Sequence, residues 1–161
     1  MRSVPVNLPL VNESDIESVS QALRDGWISG EGPIVANFES QFAEFCNRNH
    51  GISVTNGTAA IEVVIHALGI EPGDEVITTP YTMSATATSI LHWNAIPVFV
   101  DIDPRSFNID VNLIESKISD RTKAILAVDI YGQPADMDEI NKIAKKYQIK
   151  VISDSEQSPG A

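Results

Sequence analysis

Cysteine is almost absent from this sequence, because Cys46 is the only one in 161 residues. One thiol excludes an internal disulfide and a cysteine-based metal site, and it suits a reducing compartment. The three histidines show no ligand spacing, so the sequence predicts no metal centre. No stretch approaches the roughly 18 apolar residues of a membrane span, and residues 1–11 lack the apolar run of a signal peptide. These absences predict a cytoplasmic protein without a membrane partner.

Basic residues are scarce as well, with 11 Lys and Arg against 22 Asp and Glu and a formal charge of −11. Lys145 and Lys146 are the nearest approach to a basic cluster, and we interpret them as a solvated helix face. Binding to nucleic acid requires a basic surface, so that function is disfavoured. A phosphorylated small molecule stays compatible with this charge, because backbone amides at a helix start can bind phosphate.

The apolar pattern predicts a helical N-terminal segment over residues 1–50. Ser14 and Glu17 have capping-box spacing and predict a helix that runs to about Asp25. Pro33 suits the first turn of a second helix. Three phenylalanines share one face of that helix, and we interpret them as core: Phe38, Phe42 and Phe45.

From Gly51 onward, the pattern predicts strands that alternate with helices. Short apolar runs predict strands at 52–54, 75–79, 97–100, 124–128 and 149–153. Periodic segments between them predict helices near 61–68, 82–93, 113–118 and 136–147. Alternation of this kind indicates crossover connections and a doubly wound, mainly parallel sheet in an α/β domain over 51–161.

Ligands of such sheets bind at the carboxyl ends of the strands, where residues 55–60 read Thr-Asn-Gly-Thr-Ala-Ala. A glycine at a strand-to-helix turn leaves the first helix amides uncovered, and with the helix dipole they form an anion site. The Thr58 hydroxyl can add a donor. The motif is not a nucleotide P-loop, because no Gly-Lys-Ser/Thr follows. The alternative is an ordinary Asn-Gly turn capped by Thr58.

Asp154 ends the last apolar strand on the same predicted edge. A carboxylate in that position can meet a cation such as a protonated pyridine nitrogen, and the protonated ring then acts as an electron sink. The alternative is a helix cap at a strand end, a frequent role of Asp.

The order of these motifs along the chain resembles the DegT/DnrJ/StrS family of sugar aminotransferases, within fold type I of the pyridoxal-phosphate enzymes. The resemblance covers nearly the whole chain. Its marks are Trp27-Ile28-Ser29 with Gly32-Pro33, Phe38-Glu39, the 55–60 motif, Leu68-Gly69 with 72–77, Pro97–Asp103, Tyr131-Gly132-Gln133, and Asp154 with Gln157 before Gly160-Ala161.

The resemblance implies pyridoxal 5′-phosphate as cofactor. Gly57 and Thr58, with Ala59 close by, would hold its phosphate. Asp154 would pair with the pyridine nitrogen, and Gln157 would hydrogen-bond the ring hydroxyl.

The implied reaction moves an amino group from an amino acid, usually glutamate, to a nucleotide-linked keto-sugar, as in polysaccharide biosynthesis. Trp27 and Ser29 match the family's loop near the sugar substrate. The family works as dimers with shared sites, so the resemblance also implies a homodimer.

Three positions depart from the family pattern. Met83 stands where the family commonly stacks an aromatic residue on the cofactor ring, and a thioether packs there more weakly. Asp129 replaces a histidine often found before Tyr-Gly. The lysine that forms the Schiff base lies beyond Ala161 in this family, so the cofactor domain is expected to be incomplete and this chain alone to be inactive.

Two alternatives remain open on these residues. One is a pyridoxal-phosphate-dependent deoxysugar dehydratase of the same family, in which histidine replaces the Schiff-base lysine. The other is a non-catalytic, truncated polypeptide that binds phosphate-bearing ligands or a full-length copy.

Overall fold

A computed structural model describes Pro5 and residues 8–161. The chain divides into two compact units, the first ending at Ser53 and the second comprising Val54–Ala161. The division predicted from sequence, an N-terminal segment 1–50 and a partial cofactor domain 51–161, stays a prediction, since compactness alone does not make a unit a cofactor domain. None of the helices in the described part of the chain has the length and apolar character to cross a membrane.

The first unit contains helices α1, Glu13–Arg24, and α2, Pro33–Phe45. The predicted cap at Ser14 is wrong by two positions. Asn12 caps α1, because its side chain accepts hydrogen bonds from the amides of Ser14 and Asp15 while the Asp15 carboxylate accepts from the Asn12 amide. This reciprocal arrangement satisfies the free donors of the first turn. The predicted start of α2 at Pro33 is confirmed.

The aromatic stripe of α2 is not core in this unit, contrary to prediction. Phe38, Phe42 and Phe45 are 54%, 43% and 63% exposed. Their rings stack in a row with centroids 5.6 and 6.0 Å apart. Only Ala43 of this helix is buried. The described part of the first unit has two helices, which is too little chain to cover both faces of α2.

The second unit alternates strands and helices in the predicted order. The strands are β1 Glu75–Thr78, β2 Ile96–Phe99, β3 Thr122–Val128 and β4 Lys150–Asp154. The helices are α3 Gly57–Ala67, α4 Ser84–His92, α5 Val111–Ile114 and α6 Met137–Tyr147, with 3₁₀ turns at Glu115–Lys117 and Ile130–Gly132. This alternation confirms the predicted fold class.

The strand predicted at residues 52–54 does not form. The Ser53 amide and hydroxyl donate to the Glu39 carboxylate at 2.7 and 2.8 Å. These bonds use the amide that a sheet ladder would require. They also lower the pKa of Glu39, chiefly through the backbone hydrogen bond.

The sheet is wholly parallel, in the order β2-β1-β3-β4. Alternate residues of β1 face opposite sides, so Val76 packs in one core cluster with α3 and α4 while Ile77 packs in another with α5 and α6. Burying one such side chain stabilises the fold by about 1.5–3 kcal/mol. Because β2 and β3 lie on opposite sides of β1, the crossovers diverge there, and a ligand crevice is expected at the carboxyl ends of these strands.

Candidate cofactor-binding site

A cavity of about 360 Å³ lies at the carboxyl ends of β1, β3 and β4. Its volume is within the usual range for small-molecule sites, about 300–1,000 Å³. It is lined by Gly57, Thr58, Ile61, Thr82, Met83, Ala85, Thr86, Val128, Asp129, Asp154, Glu156 and Gln157. The fold thus brings together five of the predicted cofactor residues, and Ala59 is the one outside the lining.

The start of α3 supplies two free backbone donors. Asn56 caps the helix, and its side-chain oxygen accepts the Ala59 amide at 2.9 Å. No acceptor among the described residues engages the amides of Gly57 or Thr58. Free amides at a helix start together with the helix dipole favour an anion such as phosphate. Ala59 shares the first turn, but its own amide is already used by the cap.

Asp154, the last residue of β4, presents a partly buried carboxylate to the cavity. Its Oδ2 accepts the Thr86 hydroxyl at 3.1 Å, and the Thr86 and Thr82 hydroxyls lie 2.9 Å apart. One neutral donor leaves most of the acceptor capacity of a carboxylate unused. Thr86 was not predicted from sequence, although its spacing of four from Thr82 in the helix predicted at 82–93 was the available signal.

Gln157 is oriented by the backbone of a neighbouring turn. Its Oε1 accepts the Tyr131 amide at 2.8 Å, so the side-chain NH₂ remains a donor. Tyr131 has a φ of +55°, which a non-glycine residue seldom adopts. Its hydroxyl lies 2.7 Å from that of Tyr81, and this hydrogen bond raises the pKa of Tyr81.

Asp129 is a second carboxylate of the cavity, and it is buried. Its Oδ1 accepts the Ala135 amide at 2.8 Å, and its Oδ2 accepts the hydroxyls of Ser155 at 2.6 Å and Ser153 at 3.3 Å. These bonds tie the end of β3 to the end of β4. Asp129 therefore anchors the segment that carries Asp154.

Met83 immediately precedes α4 and lines the cavity. Its side chain is 70% exposed. A flexible thioether in this position is free to approach a ligand ring from the cavity side.

Trp27 and Ser29 belong to the first unit, and their predicted role in substrate binding stays a prediction. The Ser29 hydroxyl donates to the Glu31 carbonyl at 2.8 Å. Gly32 has a φ of +150°, and a Cβ there would lie 2.7 Å from the Trp27 ring. Glycine is thus required where the Trp27 indole covers the backbone.

Glu156 was not predicted, although it lies between the two predicted residues Asp154 and Gln157. It lines the cavity, and a Cβ on Gly57 would overlap its carboxylate. The Glu156 carboxylate thus occupies the space beside Gly57 that a side chain at position 57 would enter. The available signal for Glu156 was its position in a turn that follows a strand at the binding edge.

The six lysines lie outside the cavity lining. Lys123 and Lys150 are near the amino ends of β3 and β4, opposite the binding edge. Lys142 pairs with Glu139 and Lys146 with Glu115, and these hydrogen bonds raise the pKa of both lysines.

A larger cavity, about 530 Å³, lies beside the loop that follows β2. Several of its polar groups are already engaged. Asn108 donates to the carbonyls of Gln133 and Pro134, and the hydrogen bond from Arg105 lowers the pKa of Asp103 to about 2. These contacts stabilise the loop and include none of the predicted site residues.

Comparison with known proteins gives a match to the DegT/DnrJ/EryC1/StrS aminotransferase family over residues 9–161. A UDP-2-acetamido-2-deoxy-3-oxo-D-glucuronate aminotransferase of Pseudomonas aeruginosa is 52% identical over 130 residues, 81% of this chain and 36% of that protein. A GDP-perosamine synthase of Caulobacter vibrioides is 40% identical over 158 residues, 98% of this chain and 43% of that protein. The chain spans about two fifths of the length of these curated relatives.

The fold also matches solved structures. The crystal structure of ntda from Bacillus subtilis with bound cofactor PMP has a TM-score of 0.87 and 36% identity, and the match covers 93% of this chain and 35% of that one. The resemblance predicted from sequence is confirmed by these matches, as is the doubly wound α/β fold.

Proposed function

Because this chain belongs to the DegT/DnrJ/EryC1/StrS aminotransferase family, we propose that the whole protein is a pyridoxal-phosphate-dependent sugar aminotransferase. It moves an amino group from an amino acid, here taken as glutamate, to a nucleotide-linked keto-sugar. One observation carries the proposal: the Asp154 carboxylate and the free amides of Gly57 and Thr58 line one cavity. The names of the UDP- and GDP-linked sugar relatives support the substrate class.

The chemistry of the cavity suits two groups of the cofactor, its phosphate and its pyridine nitrogen. Two unbonded amides at a helix start suit a phosphate group. A carboxylate with spare lone pairs suits a protonated pyridine nitrogen. The carboxylate of Glu156, against Gly57, is the one feature that opposes a phosphate.

When bound, the cofactor supplies an electron sink and carries the transferred nitrogen. The chain's residues hold and tune it. Gly57 and Thr58 donate amides to the phosphate, and the α3 dipole that runs through Ala59 reinforces them. Asp154 keeps the proton on the pyridine nitrogen. The Gln157 NH₂ donates to the ring hydroxyl.

The remaining contacts belong to the ring face and the substrate. Met83 packs against the ring, and Trp27 and Ser29 bind the sugar nucleotide. We assign residues 51–161 to the cofactor domain. The protein acts in the cytoplasm as a homodimer, in keeping with the sequence-based expectations.

The test is Asp154→Asn in the whole protein. Asparagine keeps the shape but removes the charge that holds the pyridine proton. Bound cofactor, measured by absorbance after gel filtration, should stay near the wild-type level. Amination of a keto-sugar nucleotide with glutamate should fall about a hundredfold to a thousandfold, the scale of other preorganised electrostatic groups.

The matched control is Asp120→Asn, which removes a charge from an exposed residue in the turn before β3, at the opposite edge. It should leave turnover unchanged. Near wild-type turnover in Asp154→Asn would remove Asp154 from the mechanism. A dehydrated product in place of an amino sugar would favour the dehydratase alternative.

A further inference from the structure

The cofactor cavity carries an excess of negative charge. Three carboxylates line it, those of Asp129, Asp154 and Glu156, and none of the lining side chains is basic. A phosphate group that enters therefore depends on backbone amides for attraction. Any carboxylate near those amides weakens phosphate binding through like-charge repulsion.

Two of these carboxylates accept hydrogen bonds from neighbouring residues. Asp129 accepts three hydrogen bonds, from Ala135, Ser153 and Ser155. Asp154 accepts the Thr86 hydroxyl. In the part of the chain that the structure describes, Glu156 makes neither a hydrogen bond nor an ion pair.

The backbone around Glu156 is fixed on both sides. The Ser158 amide donates to the Ser155 carbonyl at 3.0 Å, which closes a four-residue turn with Glu156 and Gln157 at its centre. The Ser155 side chain is bonded to Asp129, and that of Gln157 to the Tyr131 amide. The turn therefore fixes the position of the Glu156 backbone, and the Glu156 side chain lies against Gly57.

Gly57 is the first residue of α3, so the Glu156 carboxylate lies where the helix dipole attracts an anion. The same position is the one assigned to the cofactor phosphate. We propose that Glu156 competes with the phosphate for the start of α3 and lowers the affinity of the site for phosphorylated ligands. This inference rests on the proposed function, because it names a residue that tunes that same site.

The consequence is specific to the phosphate. Glu156 repels a phosphorylated cofactor but has no such effect on phosphate-free pyridoxal. Its side chain must move from Gly57 when the phosphate binds. The turn allows this movement, because no bond to a described residue holds the carboxylate in place.

The experiment measures dissociation constants of the whole protein for pyridoxal 5′-phosphate and pyridoxal, with inorganic phosphate as a competitor. The variants are Glu156→Gln, which removes the charge at constant shape, Glu156→Ala, and Glu156→Asp, which keeps the charge. Glu71→Gln is the matched control, because Glu71 is exposed in the turn that precedes β1, at the opposite edge of the sheet.

Glu156→Gln and Glu156→Ala should bind pyridoxal phosphate on the order of tenfold more tightly than wild type, since even in water like charges 4 Å apart repel measurably. Inorganic phosphate should compete more strongly in these two variants. Glu156→Asp and Glu71→Gln should resemble wild type, and affinity for pyridoxal should not change in any form.

An unchanged affinity for pyridoxal phosphate in Glu156→Gln, or an equal gain for pyridoxal, would overturn the inference. The proposed function would stand in that case if wild type binds the cofactor and Thr58→Pro weakens it. Failure of every form to bind the cofactor would overturn both.

Discussion

Thr86 donates its hydroxyl to Oδ2 of Asp154 across 3.1 Å, and this bond joins α4 to the end of β4. The two residues are 68 positions apart, and their contact depends on the sheet order, in which β1 and β4 flank β3. The bond fixes the direction of the carboxylate that we assign to the pyridine nitrogen. Thr86 is therefore a positioning residue.

Replacing Thr86 tests this positioning role. Thr86→Val keeps the side-chain volume but removes the donor, so turnover of the whole protein should fall about fivefold, as expected for the loss of roughly 1 kcal/mol of hydrogen bonding. Thr86→Ser restores the hydroxyl and should recover most of the activity. Steady-state kinetics and the visible spectrum of the bound cofactor provide the readouts. Equal losses in both variants would indicate a packing role instead.

The phosphate site is tested at Thr58. Thr58→Pro deletes one amide donor in the first turn of α3, where proline is tolerated. Loss of one hydrogen bond to a charged group costs about 1.5–3 kcal/mol, so pyridoxal phosphate should bind about tenfold to a hundredfold more weakly. Isothermal titration measures this affinity.

Thr58→Ala serves as the control, because it removes the hydroxyl and keeps the amide. It should lose less affinity than Thr58→Pro, and pyridoxal should bind equally to both variants. Unchanged affinity in a folded Thr58→Pro protein would show that the turn is only structural.

Glu75 connects the start of β1 to the turn before β3. Its buried carboxylate accepts the Ser119 hydroxyl and an Arg121 guanidinium N–H, both at 2.5 Å. The Ser119 bond is the main cause of its lowered pKa, and the Arg121 charge adds to it. Glu75→Gln should destabilise the protein by about 1–3 kcal/mol near neutral pH, from lost bonds to a charged group.

The pH dependence of that loss follows from the sign of the shift. A lowered folded-state pKa means that the stabilisation is present above the ordinary glutamate pKa, about 4.3, and is lost as the pH falls through the folded value. The difference between wild type and Glu75→Gln in urea unfolding should therefore shrink below about pH 4. A constant difference across this range would contradict the assignment, and Glu71→Gln, at an exposed position, is the matched control.

The sequence was sufficient to predict the four strands of the sheet, though not the absence of a fifth at 52–54, because apolar runs and helix periodicity directly reflect burial on two faces. Ile77 and Val76 illustrate this, since adjacent residues of one strand supply separate clusters. The cavity was predicted in part because the carboxyl ends of the strands in a parallel sheet lie along one edge. Thr86 and Glu156 were missed, because their roles depend on side-chain contacts across the sheet or between turns.

Local capping and exposure were harder to predict. Asn12 and Ser14 are both good cap residues, and only the backbone geometry selects Asn12. The periodicity of Phe38 and Phe42 correctly indicates one apolar face, but it cannot tell whether the same unit supplies a covering surface. Competition for the Ser53 amide by Glu39 likewise follows from a side-chain contact, which the strand propensity does not reveal.

The last prediction concerns the 161-residue chain on its own, which should show no aminotransferase activity and capture no cofactor covalently at a defined lysine. Capture requires a deprotonated amine beside the aldehyde, whereas an ordinary lysine has a pKa near 10.4 and is protonated at neutral pH. Lys142 and Lys146 are held further in the charged form by Glu139 and Glu115. The test incubates the purified chain with pyridoxal phosphate, reduces it with borohydride and maps the labelled peptides by mass spectrometry. Scattered trace labelling is expected, whereas one stoichiometrically labelled lysine together with amino transfer would overturn this prediction.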